Sequence, residues 1–351
     1  MSAYIHAVGT AVPPFRFAQE EVKDAVRRMF DGDMPRLERL LSIFENSGIA
    51  DRHFCTELEW YVTPHTAEEK HRLFVTHATE LAERAARQCF ERAGIEPRQI
   101  DHVIVVNTTG TVTPSLDAYL LNRLGFSPRI KRSPIWGLGC AGGAAGLSRA
   151  SEYIAAFPSH RCLLISVELC SLTFVRDDAS KSNIVATSLF ADGAAAALIT
   201  GTPGHSGGRP RIAATQSTTW PDSLDVMGWD MTNDGMKVIF SRDIPTLVKQ
   251  YMLSNVEELL IEQGVPLSQI SAFVLHPGGR KVLEAYEEAL ELPREALSAS
   301  SAVLHKYGNM SSCTVLFVLE ETMRRGIAEG AWGIAGALGP GFSSELLLLQ
   351  F

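Results

Sequence analysis

The same order of elements occurs twice in this chain. A largely apolar, β-branched run, Ile100–Val106, leads through a helical segment to Cys140, and a second run, Ile270–His276, leads through a helical segment to Asn309. The first interval is 40 residues and the second is 39. A helix and two more strand-like runs follow each. Apolar runs without polar alternation mark strands buried on both faces. Strands alternating with helices imply right-handed crossovers. The expected fold is therefore α/β: two duplicated halves whose mostly parallel, mixed sheets stack with helices between and outside, an αβαβα layering. The Gly/Pro-rich segment 202–211 (TPGHSGGRPR) is the candidate boundary, giving halves 1–201 and 202–351.

Hydrophobic periodicity and turn residues fill in the rest. Strands are expected at 3–9, 102–106, 162–167, 194–200, 272–276, 331–338 and 343–350. Helices are expected at 18–30, 35–47, 66–93, 114–124, 141–157, 246–263, 280–290 and from 311 through Arg325.

Composition excludes several function classes. The chain has 351 residues, 46% hydrophobic and 21% charged, with a net charge of −8 and no Lys/Arg block. Nothing in it favours nucleic acid, and an anionic substrate would need a local basic patch. The N-terminus lacks the charged and apolar regions of a signal peptide. No apolar stretch approaches the ~20 residues of a membrane helix, so no stable membrane insertion is expected. Six cysteines contain no C-x-x-C pair, which argues against zinc and against a disulfide framework. A reduced, cytoplasmic protein is the simplest expectation.

Chemistry concentrates at the matching points of the two halves. Cys140 lies in WGLGCAGGAAG, a glycine turn that opens a helix of small residues. A helix N-terminus lowers a thiol pKa and favours the thiolate, although a buried structural cysteine would also fit. His276 ends a strand, where crevices form in open α/β sheets. Asn309 opens a helix and could serve only as its cap. Taken singly, the structural roles suffice. Placed equivalently by the repeat, the three make a thiol nucleophile, its base and an oxyanion donor.

The turn also fits G-x-G-x-x-G, with Glu168 ending a later strand, as in a dinucleotide fingerprint. Against that reading, the preceding segment Lys131–Trp136 is charged, broken by Pro134 and too short for the buried first strand.

At Cys140, His276 and Asn309 the chain resembles the type III polyketide synthases, the chalcone synthase-like branch of the thiolase superfamily. The resemblance spans nearly the whole length. It rests on WGLGCAGG, on Leu189–Ala196 (LFADGAAA), on His276-Pro277-Gly278-Gly279, on Tyr307–Ser312 (YGNMSS) and on Gly339-Pro340-Gly341-Phe342. The related β-ketoacyl-ACP synthase III enzymes share the Cys/His/Asn logic but differ after the histidine and asparagine. A single-condensation enzyme of that type, or a non-catalytic acyl- or CoA-binding protein on a thiolase-like fold, are the alternatives.

The resemblance implies that Cys140 takes an acyl group from an acyl-CoA, while His276 and Asn309 stabilise the enolate of decarboxylated malonyl-CoA. No metal or organic cofactor is implied. Phe190 matches a gatekeeper aromatic; the second falls at Val238, where the aromatic is missing. Thr173 and Ser311 match cavity positions, Trp229 replaces a frequent glycine, and Pro340 belongs to the substrate-binding set. Of the basic CoA contacts on helix 35–47 only Arg39 remains, with Ser42 and Asn46 departing; Gly278, Gly279 and Lys281 complete the expected CoA set. Met227–Met236 and Phe240–Pro245 are similar to bacterial members that make alkylpyrones from fatty acyl-CoA. A homodimer with the Thr111–Ser115 loop near its contact is the family expectation.

Overall fold

The computed structural model describes residues 2–30, 37–201, 209–233, 235–241 and 243–351. In chain order the first half contains β1 (Ala3–Ala11), β2 (Phe15–Ala18), α1 (Gln19–Phe30), α2 (Leu37–Asn46), β3 (Asp51–Phe54), α3 (Leu58–Val62), α4 (Ala67–Ala93), β4 (His102–Asn107), α5 (Leu116–Leu124), β5 (Lys131–Trp136), α6 (Gly142–Ala156), β6 (Arg161–Leu169), α7 (Lys181–Leu189) and β7 (Asp192–Thr200). The second half contains β8 (Arg211–Thr219), β9 (Met227–Thr232), β10 (Gly235–Phe240), α8 (Ile244–Gln263), β11 (Ile270–Leu275), α9 (Arg280–Ala289), α10 (Ser298–Tyr307), α11 (Thr314–Arg325), β12 (Trp332–Gly339) and β13 (Ser343–Gln350). Most expected elements are present within a few residues. The start of the helix expected at 35–47 and most of the crossing at 202–211 lie outside the described residues.

The repeat is visible in the strand order β11-β12-β13-β8-β1-β7-β6-β4-β5. Reading outward from the middle, β1, β7, β6 and β4 correspond to β8, β13, β12 and β11. The halves join edge to edge through one short antiparallel pairing, Ala3 with Ile212 and Tyr4 with Arg211.

The sheet is mixed, but less parallel than the alternation of elements implies. Between the described strands of this sheet, parallel pairing is confined to β4–β5, β4–β6 and β11–β12. The other pairings in this sheet are antiparallel. A tight turn joins β12 to β13, and such a link can only make an antiparallel pair.

Both faces of the central strands are buried, which explains their unbroken apolar sequence. In β6, Cys162 and Leu164 face the core shared by the halves, while Leu163, Ile165 and Val167 face α4 and α5. In β13, Leu347 and Leu349 face that shared core, and Leu346 and Leu348 face α8 and α9. Helices α6 and α11 fill the middle layer. The small residues of α6 make this approach possible. A Cβ on Gly143 would stand 2.1 Å from the Ser312 carbonyl oxygen.

Two expectations change. Lys131–Trp136 is a strand after all, paired in parallel with β4 at the sheet edge. Pro134 is tolerated there because an edge strand has a side with no ladder to complete. The half-buried hairpin β9–β10 and helix α10 were not anticipated. Among the described residues, no helix is long and apolar enough to cross a membrane.

Candidate active site

Cys140 sits in a 3₁₀ turn, Gly139–Ala141, that runs into α6. Gly139 has φ +49°, a left-handed conformation that favours glycine. Its amide donates to Thr108 Oγ1 at 3.0 Å. A Cβ at Gly139 would lie 2.7 Å from Pro340 Cδ, so Pro340 braces the back of the turn. In the loop that matched a nucleotide fingerprint, Gly139 packs on Pro340 and Gly142 on Val106 and Ser312.

Asn309 faces this turn from the other half. Cys140 Sγ lies 4.0 Å from Asn309 Oδ1. That oxygen also accepts from the Ser311 amide at 2.8 Å, and Asn309 Nδ2 donates to the Gly278 carbonyl at 3.1 Å. The amide orientation is thus fixed at both ends, and one Nδ2 hydrogen is left over. Ser311 is held at φ +50°, unusual for a side-chain-bearing residue. It belongs beside Cys140 rather than with the residues lining the apolar cavity described below.

His276 follows β11 directly, and its amide donates to the Gly336 carbonyl at 2.9 Å. It is buried, and neither ring nitrogen has a hydrogen-bond partner among the described residues. It stands two residues before Gly278, the partner of Asn309. Cys140 and Asn309 thus meet across the two halves, and His276 is buried two residues along the chain from the Gly278 carbonyl that Asn309 holds.

The electrostatics differ from those expected of a helix N-terminus. Burial pushes the Cys140 thiol up to about 12, although hydrogen bonds to Ser311 and Asn309 pull the other way. Burial pushes His276 down to about 3. The loss of water outweighs the helix end, because charging either group in a dry site costs more than the dipole returns. The resting pair is a neutral thiol and a neutral imidazole.

Glu168, buried at the end of β6, ties the two halves together beneath the thiol. It accepts from the amides of Thr108 and Thr109 at 3.0 Å each, from Thr109 Oγ1 at 2.8 Å and from Ser312 Oγ at 2.5 Å. Burial raises its pKa against those bonds.

Two spaces flank the site. The first is an apolar cavity lined by Val22, Ala25, Val26 and Met29 of α1, by Leu58 and Tyr61 of α3, and by Thr173, Phe190, Trp229 and Val238. Those last four are among the six residues that the resemblance assigned to substrate binding; Ser311 and Pro340 are not among the residues lining the cavity and stand at the Cys140 turn instead. The second is a polar mouth that includes Gly278, Gly279 and Lys281, together with Ser42, Asn46, Lys181 and Arg280. Arg39 is exposed on α2 and is not among the residues lining the mouth. Lys181 and Arg280 stand there instead. Sequence reasoning missed both, because nothing in the sequence ties α7 to the start of α9. It also missed Arg52, a buried cation on β3 that reaches the cavity wall.

Comparison with known proteins agrees with this architecture. A Bacillus subtilis (strain 168) protein carrying the name of a chalcone synthase is 45% identical, over 99% of each chain. A 1,3,6,8-tetrahydroxynaphthalene synthase of Streptomyces peucetius subsp. caesius is 38% identical over 99% of this chain and 93% of its own. The crystal structure of the Streptomyces coelicolor A3(2) tetrahydroxynaphthalene synthase, a bacterial type III polyketide synthase, superimposes with a TM-score of 0.94 at 28% identity, covering 99% of both chains. Residues 1–203 match the N-terminal domain of the chalcone and stilbene synthases, and residues 211–351 match the C-terminal domain. With both halves matched in order, and a cysteine turn of one facing an asparagine turn of the other, the chain belongs to the chalcone and stilbene synthase family, the type III polyketide synthases, which condense acyl-CoA substrates on a thiolase-like fold.

Proposed function

We propose that the enzyme condenses a fatty acyl-CoA starter with malonyl-CoA at Cys140, His276 and Asn309, and releases alkylpyrones by cyclisation. One observation carries this reading: a buried thiol 4.0 Å from an amide oxygen whose side chain is held by the Gly278 carbonyl, two residues from a buried imidazole with both nitrogens unpartnered among the described residues.

His276 takes the Cys140 proton as Sγ attacks the acyl thioester carbon. The carbon–sulfur bond to CoA breaks, and the departing thiolate recovers that proton. Malonyl-CoA then loses CO₂, and the electron pair of the broken carbon–carbon bond becomes an enolate. The spare N–H of Asn309 and the ring N–H of His276 hold its oxygen, and such donors act most strongly in a site without water. The enolate carbon attacks the acyl carbonyl, and the Cys140 thiolate leaves. The substrates bring their own activated carbon, so the reaction calls for no cofactor.

The α1 and α3 side chains of the cavity suit an alkyl chain. The mouth, with Lys181, Arg280 and Lys281, suits the CoA phosphates. The test is product mass spectrometry with malonyl-CoA and an acyl-CoA length series. Tri- or tetraketide pyrones from long-chain starters are expected. No alkylpyrone from any chain length would end the starter assignment, and a single extension dependent on malonyl-ACP would favour the one-step alternative.

We also infer a homodimer across β5, whose outer edge is unpaired in the described sheet and which ends at a half-exposed Trp136. An open edge is a template for pairing with a second copy. Sedimentation of wild type and Trp136→Lys should show the dimer weakened in the variant; a monomeric wild type would refute it.

A further inference from the structure

Arg52 is fully buried on β3, yet its hydrogen bonding is incomplete. Its Nη1 donates to the Thr187 carbonyl and, at 3.0 Å, to the Phe190 carbonyl. Its Nε and Nη2 have no partner among the described residues. These two nitrogens share one edge of the planar guanidinium. That edge presents two parallel N–H groups, the fork that grips paired oxygens. Phe44 and Phe54 lie over the group, with 5.8 and 5.3 Å from Cζ to the ring centres. Burial lowers its pKa to about 9, so it stays charged at neutral pH, and Asp192 acts on it only through space.

Arg52 lines the apolar cavity. The hydroxyl and amide side chains there have their donors committed. Tyr61 OH donates to Ser171 Oγ and Ser171 Oγ to Asp192. Thr173 Oγ1 donates to the Cys170 carbonyl, Asn183 Nδ2 to Val175 and Asp178, and Thr187 Oγ1 to Asn183. Trp229 has a single indole N–H, and Arg52 alone among the lining residues named here brings two spare donors side by side. A buried unpaired donor is costly, and a purely structural clamp would be cheaper with apolar replacements.

We propose that the free Nε/Nη2 edge of Arg52 is a recognition site for paired oxygens on the acyl chain, either the 1,3-dicarbonyl of a β-oxoacyl group or a terminal carboxylate. The proposal rests on reading the cavity as an acyl-chain site. It makes the cavity selective for what the chain carries as well as for its length.

The test measures equilibrium dissociation constants by calorimetry in a Cys140→Ala background, where no acyl transfer intervenes. The probes are dodecanoyl-CoA, 3-oxododecanoyl-CoA and 11-carboxyundecanoyl-CoA. One oxygenated probe should bind about tenfold tighter than dodecanoyl-CoA, as a charge-assisted two-point contact allows. Which of the two does so distinguishes dicarbonyl from carboxylate. Arg52→Met should abolish that preference while leaving dodecanoyl-CoA within about twofold, and Arg52→Lys should reduce it, because an ammonium lacks the fork. If Arg52→Met does not fold, Arg52→Lys decides alone. No preference in the parent, an unchanged preference in the variants, or an equal loss for all three probes would overturn the proposal. These ratios are independent of whether pyrones form, so failure of the product assignment would be seen separately.

Discussion

Asn309 and Phe190 lie side by side in a parallel bridge between the two halves. The Asn309 amide donates to the Leu189 carbonyl at 2.9 Å, and the Ala191 amide donates to the Asn309 carbonyl at 2.8 Å. The same pair of bonds therefore sets the amide that faces Cys140 and the aromatic that borders the cavity. Changes to the cavity wall at Phe190 will be felt at the condensing site, and the hairpin opposite is the better place to alter chain-length preference alone.

Trp229 is that place. It stands opposite Val238 in the β9–β10 register, and its ring lies 5.9 Å from that of Phe190. The aromatic missing at 238 is supplied from the neighbouring strand. Trp229→Ala should shift product profiles toward longer starters or an added malonyl unit, read by mass spectrometry. An unchanged profile would remove Trp229 from the chain-limiting wall.

Cys140→Ala should lower pyrone formation by at least about 10³-fold, as expected when a covalent nucleophile is lost. Release of CO₂ from malonyl-CoA should persist, because Asn309 and His276 remain. Retained pyrone synthesis would contradict the nucleophile assignment, and loss of both activities would point to a damaged site.

Because the free thiol is pushed up to about 12, alkylation of Cys140 by iodoacetamide should climb steadily from pH 7 to pH 10. A preformed thiolate would instead react at a constant rate over that range. The sign for stability follows from linkage. A folded pKa above the ordinary 9.0 contributes stability that is intact below pH 9 and is lost as pH rises toward 12. Melting curves at alkaline pH should therefore fall less steeply for Cys140→Ala than for wild type.

Gly143→Ala should destabilise the fold by about 3 kcal/mol or more, at the upper end of overpacking costs, because its Cβ would meet backbone that cannot swing aside. The Ser312 carbonyl is the atom in the way, and Val315 Cγ1 would be 2.8 Å off. Thermal denaturation measures this directly. An unchanged melting temperature would mean that α6 and α11 sit farther apart than described.

Lys181→Ala and Lys281→Ala together should raise KM for malonyl-CoA about fivefold or more at low salt with little change in kcat, as loss of uniform binding does. KM for malonyl-pantetheine, which lacks the nucleotide phosphates, should stay put. A larger effect from Arg39→Ala would return the phosphate contacts to α2.

Much of this was legible in the residues themselves. Strands such as β6 and β13 are buried on both faces, so they write themselves as unbroken apolar runs, and the repeat can be counted from them. Cys140 and Asn309 were singled out because the repeat puts them at equivalent turns, and His276 because it ends a strand before a glycine-rich turn. Arg52 was not, since a charged residue in a four-residue strand gives no sign that its side chain is enclosed. The mouth was also hidden: Lys181 and Lys281 are 100 residues apart, and only folding makes them neighbours of one opening. The thiol's resting charge was misjudged because local helix geometry is readable from sequence, whereas the burial of the thiol is not.

The two halves repeat one plan, yet at the matching turns they carry different side chains. Had the copies stayed identical, two thiols or two amides would face each other across the seam. In the proposed reaction, two thiols would leave the enolate to His276 alone, and two amides would leave nothing to carry the chain. The division of labour between Cys140 and Asn309 means that the symmetry of the scaffold is useful only because it is broken at this one pair. A single exchange that restored it, Asn309→Cys or Cys140→Asn, would leave the architecture standing and silence the chemistry.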